Sequence, residues 1–270
     1  MISMRIFLLC SLLLVEITQN IECRAASRRL FTRSPTYPTA KKPEFLWFFY
    51  KPKPQIFVQS EASKYVECVA VGNPKPMISW YRNGKPILEN VDETINDRII
   101  KTEGVRVGSR LYFDCLQPED SGTYTCFANN SKFQANTTFD LIVEKANAFP
   151  TFNNVFSCRR KNEGISPARI NLWSEVMFVL VGFDAKLNCR SSGNPNATVS
   201  WFKSNICDES APDKLIENSD KYIIQENGDL IIKNLQLKDV NKYHCKVSNE
   251  HGTDMRTTVV YPVKPEKIHS

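Results

Sequence analysis

Nine cysteines are the residues whose type and spacing can do chemistry in this chain, and that chemistry is oxidation to disulfides. Cys68 and Cys126 stand 58 residues apart, and Cys189 and Cys245 stand 56 apart, so two similar loops recur within 270 residues. In each loop a Trp follows the first Cys by 12, at Trp80 and Trp201. A Tyr precedes each second Cys by two, Tyr124 and Tyr243, with Asp120 and Asp239 four residues earlier. Cys10 and Cys23 fall in an apolar leader, leaving Cys115, Cys158 and Cys207. An odd remainder in a secreted chain implies one further bridge and one free or intermolecular thiol. Asn129 (NNS), Asn136 (NTT) and Asn196 (NAT) are glycosylation acceptors by pattern, on predicted turns or outward strand positions. Catalytic chemistry has little to work with. His244 adjoins a bridging Cys, His251 sits in a turn and His269 in the tail, with no nucleophile elbow, metal-spaced cluster or phosphate-binding glycine loop. No enzyme activity, cofactor or metal is therefore expected.

The elements that must hold these residues are strands on two facing sheets. A Cys pair crossing between sheets, a Trp packed on it and a Tyr at the corner before the second Cys form the core of an immunoglobulin sandwich. The expected fold is all-β, two tandem immunoglobulin-like β-sandwiches. SKYVECVAV reads as strand B with Val66, Cys68 and Ala70 on one face, and MISWYRNGKPI as strand C with Ile78 and Trp80 inward. Asn83 and Gly84 fit a tight hairpin turn, as do Asn227 and Gly228 in the second repeat. Arg98 is expected to pair with Asp120. RLYFDCL reads as strand E, but Leu116 and Leu235 each stand four residues before the corner Asp, so that strand must shift face near Cys115 and leave its thiol outward. DVNKYHC has Asn241 where DSGTYTC has Gly122, a place for Asn to take a left-handed conformation.

Residues 1–23 carry Arg5 and then IFLLCSLLLV, the pattern of a secretory signal peptide. LWSEVMFVLVGF, the nearest later apolar run, carries Glu175 and is too short to span a membrane. The chain is expected to be secreted and extracellular, without a transmembrane segment. Its formal charge of +6 is concentrated: residues 24–53 hold eight Lys or Arg against Glu44 alone, and 54–270 sum to zero. Charge so placed does not indicate nucleic acid. It describes an arm that is either a solvated leader aiding solubility or a contact for acidic, heparan-type glycans or membrane surfaces. The expected order is signal peptide 1–23, basic arm 24–44, first domain 45–145, connector 146–168 and second domain 169–265. FLWFFY, Phe45–Tyr50, is too apolar to leave in water, so it either packs as an edge strand or meets a partner, with Trp47 and Phe49 as anchors. A bridge from Cys115 to Cys158 would fasten the aromatic connector to the first domain.

WFFYKPKP, GNPKPMISW, RLYFDC with its extra Cys115, and NGDLIIKNL…YHC…GTDMRTTVVYP resemble the secreted two-immunoglobulin, or zwei-Ig, proteins of nematodes, over roughly 45–265. More distantly they resemble the insect secreted two-domain protein that binds insulin-like peptides. The resemblance implies intermediate-type domains and a non-enzymatic extracellular protein that maintains axon and cell-body position by binding a neuronal surface protein. Its alternative is sequestration of insulin-like peptides. Asn241 and Cys207 depart from the family pattern. An apolar groove between the domains would suit the hormone reading, and flat exposed strand edges the adhesive one.

Overall fold

The computed structural model of this chain describes residues 44–88, 102–145, 158–204 and 211–264. The expected signal peptide and nearly all of the basic arm lie outside these residues, as do Arg98, Cys207 and His269. The first module contains β1 (Phe45–Tyr50), β2 (Gln55–Gln59), β3 (Lys64–Asn73), β4 (Met77–Arg82), β5 (Lys85–Leu88), β6 (Thr102–Phe113), β7 (Gly122–Asn129) and β8 (Gln134–Glu144). One of its sheets runs β2-β8-β7-β4-β5, and the other begins β1-β3-β6. Alternation sets the faces. Val66, Cys68 and Ala70 of β3 and Ile78 and Trp80 of β4 are buried between the sheets. Cys68 is bridged to Cys126, and the Trp80 indole N–H donates to the Ser109 hydroxyl at 2.9 Å. Asn83 and Gly84 have φ of 48° and 79°, the pair of positive values that a two-residue hairpin between β4 and β5 requires. The Tyr124 hydroxyl donates to the Asp120 carbonyl at 2.7 Å, closing the corner.

The second module repeats this plan with β9 (Ser166–Leu180), β10 (Ala185–Leu187), β11 (Cys189–Asn194), β12 (Thr198–Ser204), β13 (Lys214–Ile216), β14 (Tyr222–Ile224), β15 (Leu230–Ile232), β16 (Asn241–Asn249) and β17 (Gly252–Val263). Cys189 is bridged to Cys245, Trp201 is fully buried, and the Tyr243 hydroxyl donates to the Asp239 carbonyl at 3.0 Å. Asn241 is not in a left-handed conformation: it lies within β16 opposite Val260, and the corner closes without it. Gly122 answers a different need, since a Cβ there would stand 3.1 Å from the Asn83 side chain.

The two modules are not joined as beads on a string. Their sheets are continuous, in the order β1-β3-β6-β9-β17-β16-β12-β13, with β11 also paired to β9. β6 and β9 run antiparallel from Thr102 opposite Val179 to Ser109 opposite Leu172. Both strands are longer than their sequence patterns predict. β6 begins at Thr102, eight residues before the expected start of strand E at Arg110, and β9 begins at Ser166, inside the expected connector. Before β9, residues 158–162 form a helical turn.

Cys115 departs from the expected outward placement. β6 ends at Phe113, Cys115 takes a positive φ of 48°, and Leu116 returns to full burial. Cys115 is itself 5% exposed because the helical turn covers it: Cys158 is bridged to it, and the Lys161 amine donates to its carbonyl at 3.2 Å.

Candidate functional site

β1 stands at one end of the long sheet, paired on one side to β3 with Trp47 opposite Val71 and Phe48 opposite Ala70. Alternation divides its aromatic run. Leu46 and Phe48 pack on the core, whereas Trp47 is 51% and Phe49 59% exposed. The outward rings are not loose. Trp47 stacks on Phe45 with centroids 4.5 Å apart, and the Arg106 guanidinium lies 3.8 Å from the Phe49 centroid. A cation over a partly exposed ring adds about 0.5–1 kcal/mol, enough to orient Phe49 without burying it.

From this edge the long sheet leads into the seam between modules. Trp173 of β9 is 3% exposed and lies against Gly108 of β6, where a Cβ would stand 2.4 Å from its ring. Only glycine leaves room there. Arg256 and Arg110 cover the indole at 4.8 and 5.6 Å from its centroid. Arg169 grips Asp114 with two bonds of 2.6 and 2.7 Å. The Tyr112 hydroxyl reaches Asp254 at 3.3 Å, and burial, then the Asp254 charge, pushes its ionisation well up. Glu175 faces Arg106 at 3.8 Å. Burial raises the Glu175 carboxyl above its ordinary value of 4.5, and Arg106 opposes that only in part. The seam is thus filled by side chains.

The glycan acceptors lie elsewhere. Asn129 and Asn136 are exposed on β7 and β8, in the other sheet of the first module, and Asn196 is exposed between β11 and β12. His244 bonds the hydroxyls of Ser204 and Thr257, at 2.5 and 2.8 Å. Its other near neighbour, Asp213, bonds Ser204 rather than orienting the imidazole as a triad acid would.

One further pair of residues fixes the ends of the modules. Asn130 and Asn249 each follow the second bridging Cys by four. The Asn130 amide donates to the carbonyls of Phe45 and Pro74 at 2.9 and 3.0 Å, and that of Asn249 to those of Ser166 and Pro195, both at 2.9 Å. Each ties the first strand of its module to the turn after the bridged strand. The Asn four residues beyond Cys in both repeats was the available signal.

The chain matches the immunoglobulin domain family over residues 42–130 and the immunoglobulin I-set domain family over 169–260. It is 28% identical over 204 residues to Zwei Ig domain protein zig-4 of Caenorhabditis elegans, covering 73% of this chain and 72% of that protein. It is also 28% identical over 202 residues to contactin-5 of Danio rerio, covering 75% of this chain but only 15% of that longer protein. The crystal structure of neural ectodermal development factor IMP-L2 superposes with a TM-score of 0.63 at 21% identity, covering 83% of this chain and 99% of that one, a likeness of fold. Among the described residues no helix is long and apolar enough to cross a membrane.

Proposed function

Since the chain belongs to the immunoglobulin-domain family as a tandem pair of its modules, we propose that it is a non-enzymatic extracellular binding protein that takes a protein partner on the aromatic edge of its long sheet. The observation that carries this reading is the pair Trp47 and Phe49, more than half exposed and held in place on an ordered strand. Exposed aromatics fixed by neighbours are suited to anchoring an interface, because they bury large area at little conformational cost. The resemblance to the zwei-Ig proteins implies, as the finer part of this proposal, a role in keeping axons and cell bodies in position through a neuronal surface protein. The filled seam and the exposed aromatic strand at the sheet edge favour this adhesive role. Sequestration of an insulin-like peptide is the second reading, and it would use the same exposed rings against an apolar helical face.

Trp47→Ala tests the site. Tagged protein should lose the partner it retains from neuronal conditioned medium or membrane extract, with a melting temperature within about 2 °C of the parent, since half-exposed side chains contribute little to stability. A melting drop with partner capture intact would make Trp47 a packing residue only. Capture of a small disulfide-rich peptide in place of a surface protein would select the second reading.

A further inference from the structure

At the end of the second module where the Tyr243 corner closes, an open cleft of about 620 Å³ is lined by Lys203, Lys221, Lys233, Lys238, Tyr222 and Gln236. Four strand and turn segments bring the lysines together: the end of β12, the residue before β14, the residue after β15, and the 3-10 turn Leu237–Asp239. Their charges are unevenly met. Lys221 is spent internally, bonded to Asp239 at 2.6 Å and to the carbonyls of Lys233 and Asn234 at 2.8 and 3.0 Å. Lys233 pairs with Asp184 at 2.7 Å. Lys203 and Lys238 have no carboxylate in ion-pair reach among the described residues, and Asp220 is the one other acid on the wall. Lys203, half-buried, lines the cleft and holds its amine 5.8 Å from the Tyr243 ring centroid.

We propose that this cleft binds a sulfated polysaccharide chain, with Lys203 and Lys238 as the residues that contact its anionic groups. Crowding makes the site receptive. Burial first, and then repulsion from Lys221, Lys214 and Lys238, holds the Lys203 amine below the usual lysine range against the pull of Asp239. An anion placed among these amines relieves that repulsion. Lysines act as separate point charges and meet spaced sulfates, whereas an enclosed phosphate site favours bidentate arginine or a cradle of backbone amides. Three disulfides suit the extracellular setting proposed above, where such polysaccharides occur. The cleft is distinct from the basic arm at 24–44 that the sequence alone suggests for glycans, and from the aromatic edge on the first module.

The test titrates the full chain with a heparin-derived oligosaccharide over a range of NaCl concentrations. Lys203→Met keeps the stem on Tyr243, and Lys238→Gln changes an exposed residue, so the double variant should melt as the parent does. It should bind about tenfold more weakly at 0.1 M salt, and the slope of log affinity against log salt should fall by about one to two, as each lost contact with a polyanion releases fewer counterions. Neutralising the eight Lys and Arg of 24–53 to Gln in the full chain should leave this component in place. Desulfated oligosaccharide and inorganic sulfate alone should not bind at the same concentrations. Unchanged binding by the double variant, loss of all binding on neutralising the arm, or equal binding of the desulfated chain would each overturn the proposal.

Discussion

Asn130 and Asn249 hold together what the bridges do not reach. Each donates to carbonyls on two segments far apart in sequence, and Asn130, itself buried, also accepts from the Phe133 backbone at 2.9 Å. Asn130→Ala removes these bonds and should cost about 2 kcal/mol in urea denaturation, since each intramolecular hydrogen bond contributes about 0.5–1.5 kcal/mol. Proteolysis should then enter first at β1, whose Phe45 carbonyl loses its donor. The Cys, Trp and Tyr framework was legible because fixed spacings from a covalent bridge survive any loop variation. The asparagines were not, because Asn in a turn is also an ordinary turn former. Glu175 gives a second residue-scale expectation. Its carboxyl is raised in the folded chain, so the native state holds its proton to higher pH than the unfolded chain does. The resulting stability is present below the unfolded value of about 4.5 and is lost as pH rises through the folded one. Glu175→Gln should therefore raise the melting temperature at pH 7.5 more than at pH 4, and an equal shift at both would remove this carboxyl from the pH response.

At the scale of elements, the pairing of β6 with β9 decides the architecture. Gly108→Ala places a methyl group 2.4 Å from the Trp173 ring. Overpacking of that kind costs about 1–3 kcal/mol. Thermal melts should show the loss, with Trp173 fluorescence shifted to the red as water enters the seam. The sequence could show that TEGVRVGS alternates, with Val105 and Val107 inward, but not what lies along its other edge. Strand pairing between modules is made by backbone groups common to all residues and leaves no local pattern. The Cys115–Cys158 bridge works on the same scale, closing 43 residues around the connector. Replacing both by Ser should cost about 4 kcal/mol on the chain-entropy estimate. Hydrogen exchange should then quicken in the helical turn and the first residues of β9 before it does in β3 or β4.

Among the described residues the two modules share one long sheet with no break at the seam. Calorimetry of the intact protein should give a single transition whose van't Hoff and calorimetric enthalpies agree, and two separable transitions would contradict the shared sheet. A fragment comprising residues 158–264 would bare the β9 edge from Leu172 to Val179, and it should self-associate, as unprotected sheet edges do. The expected order of two modules was readable from the repeat, but their rigid union was not, because a connector of 23 residues at 146–168 reads equally well as a tether. That union bears on how a partner experiences the molecule. A ligand touching both modules meets its second contact at a fixed distance and angle, so the effective concentration of that contact is set by the sheet and not by the wandering of a linker. A partner of matching span gains avidity without ordering anything further, and a partner of any other span gains none, which makes the seam a ruler for selecting among ligands that carry the same local contacts.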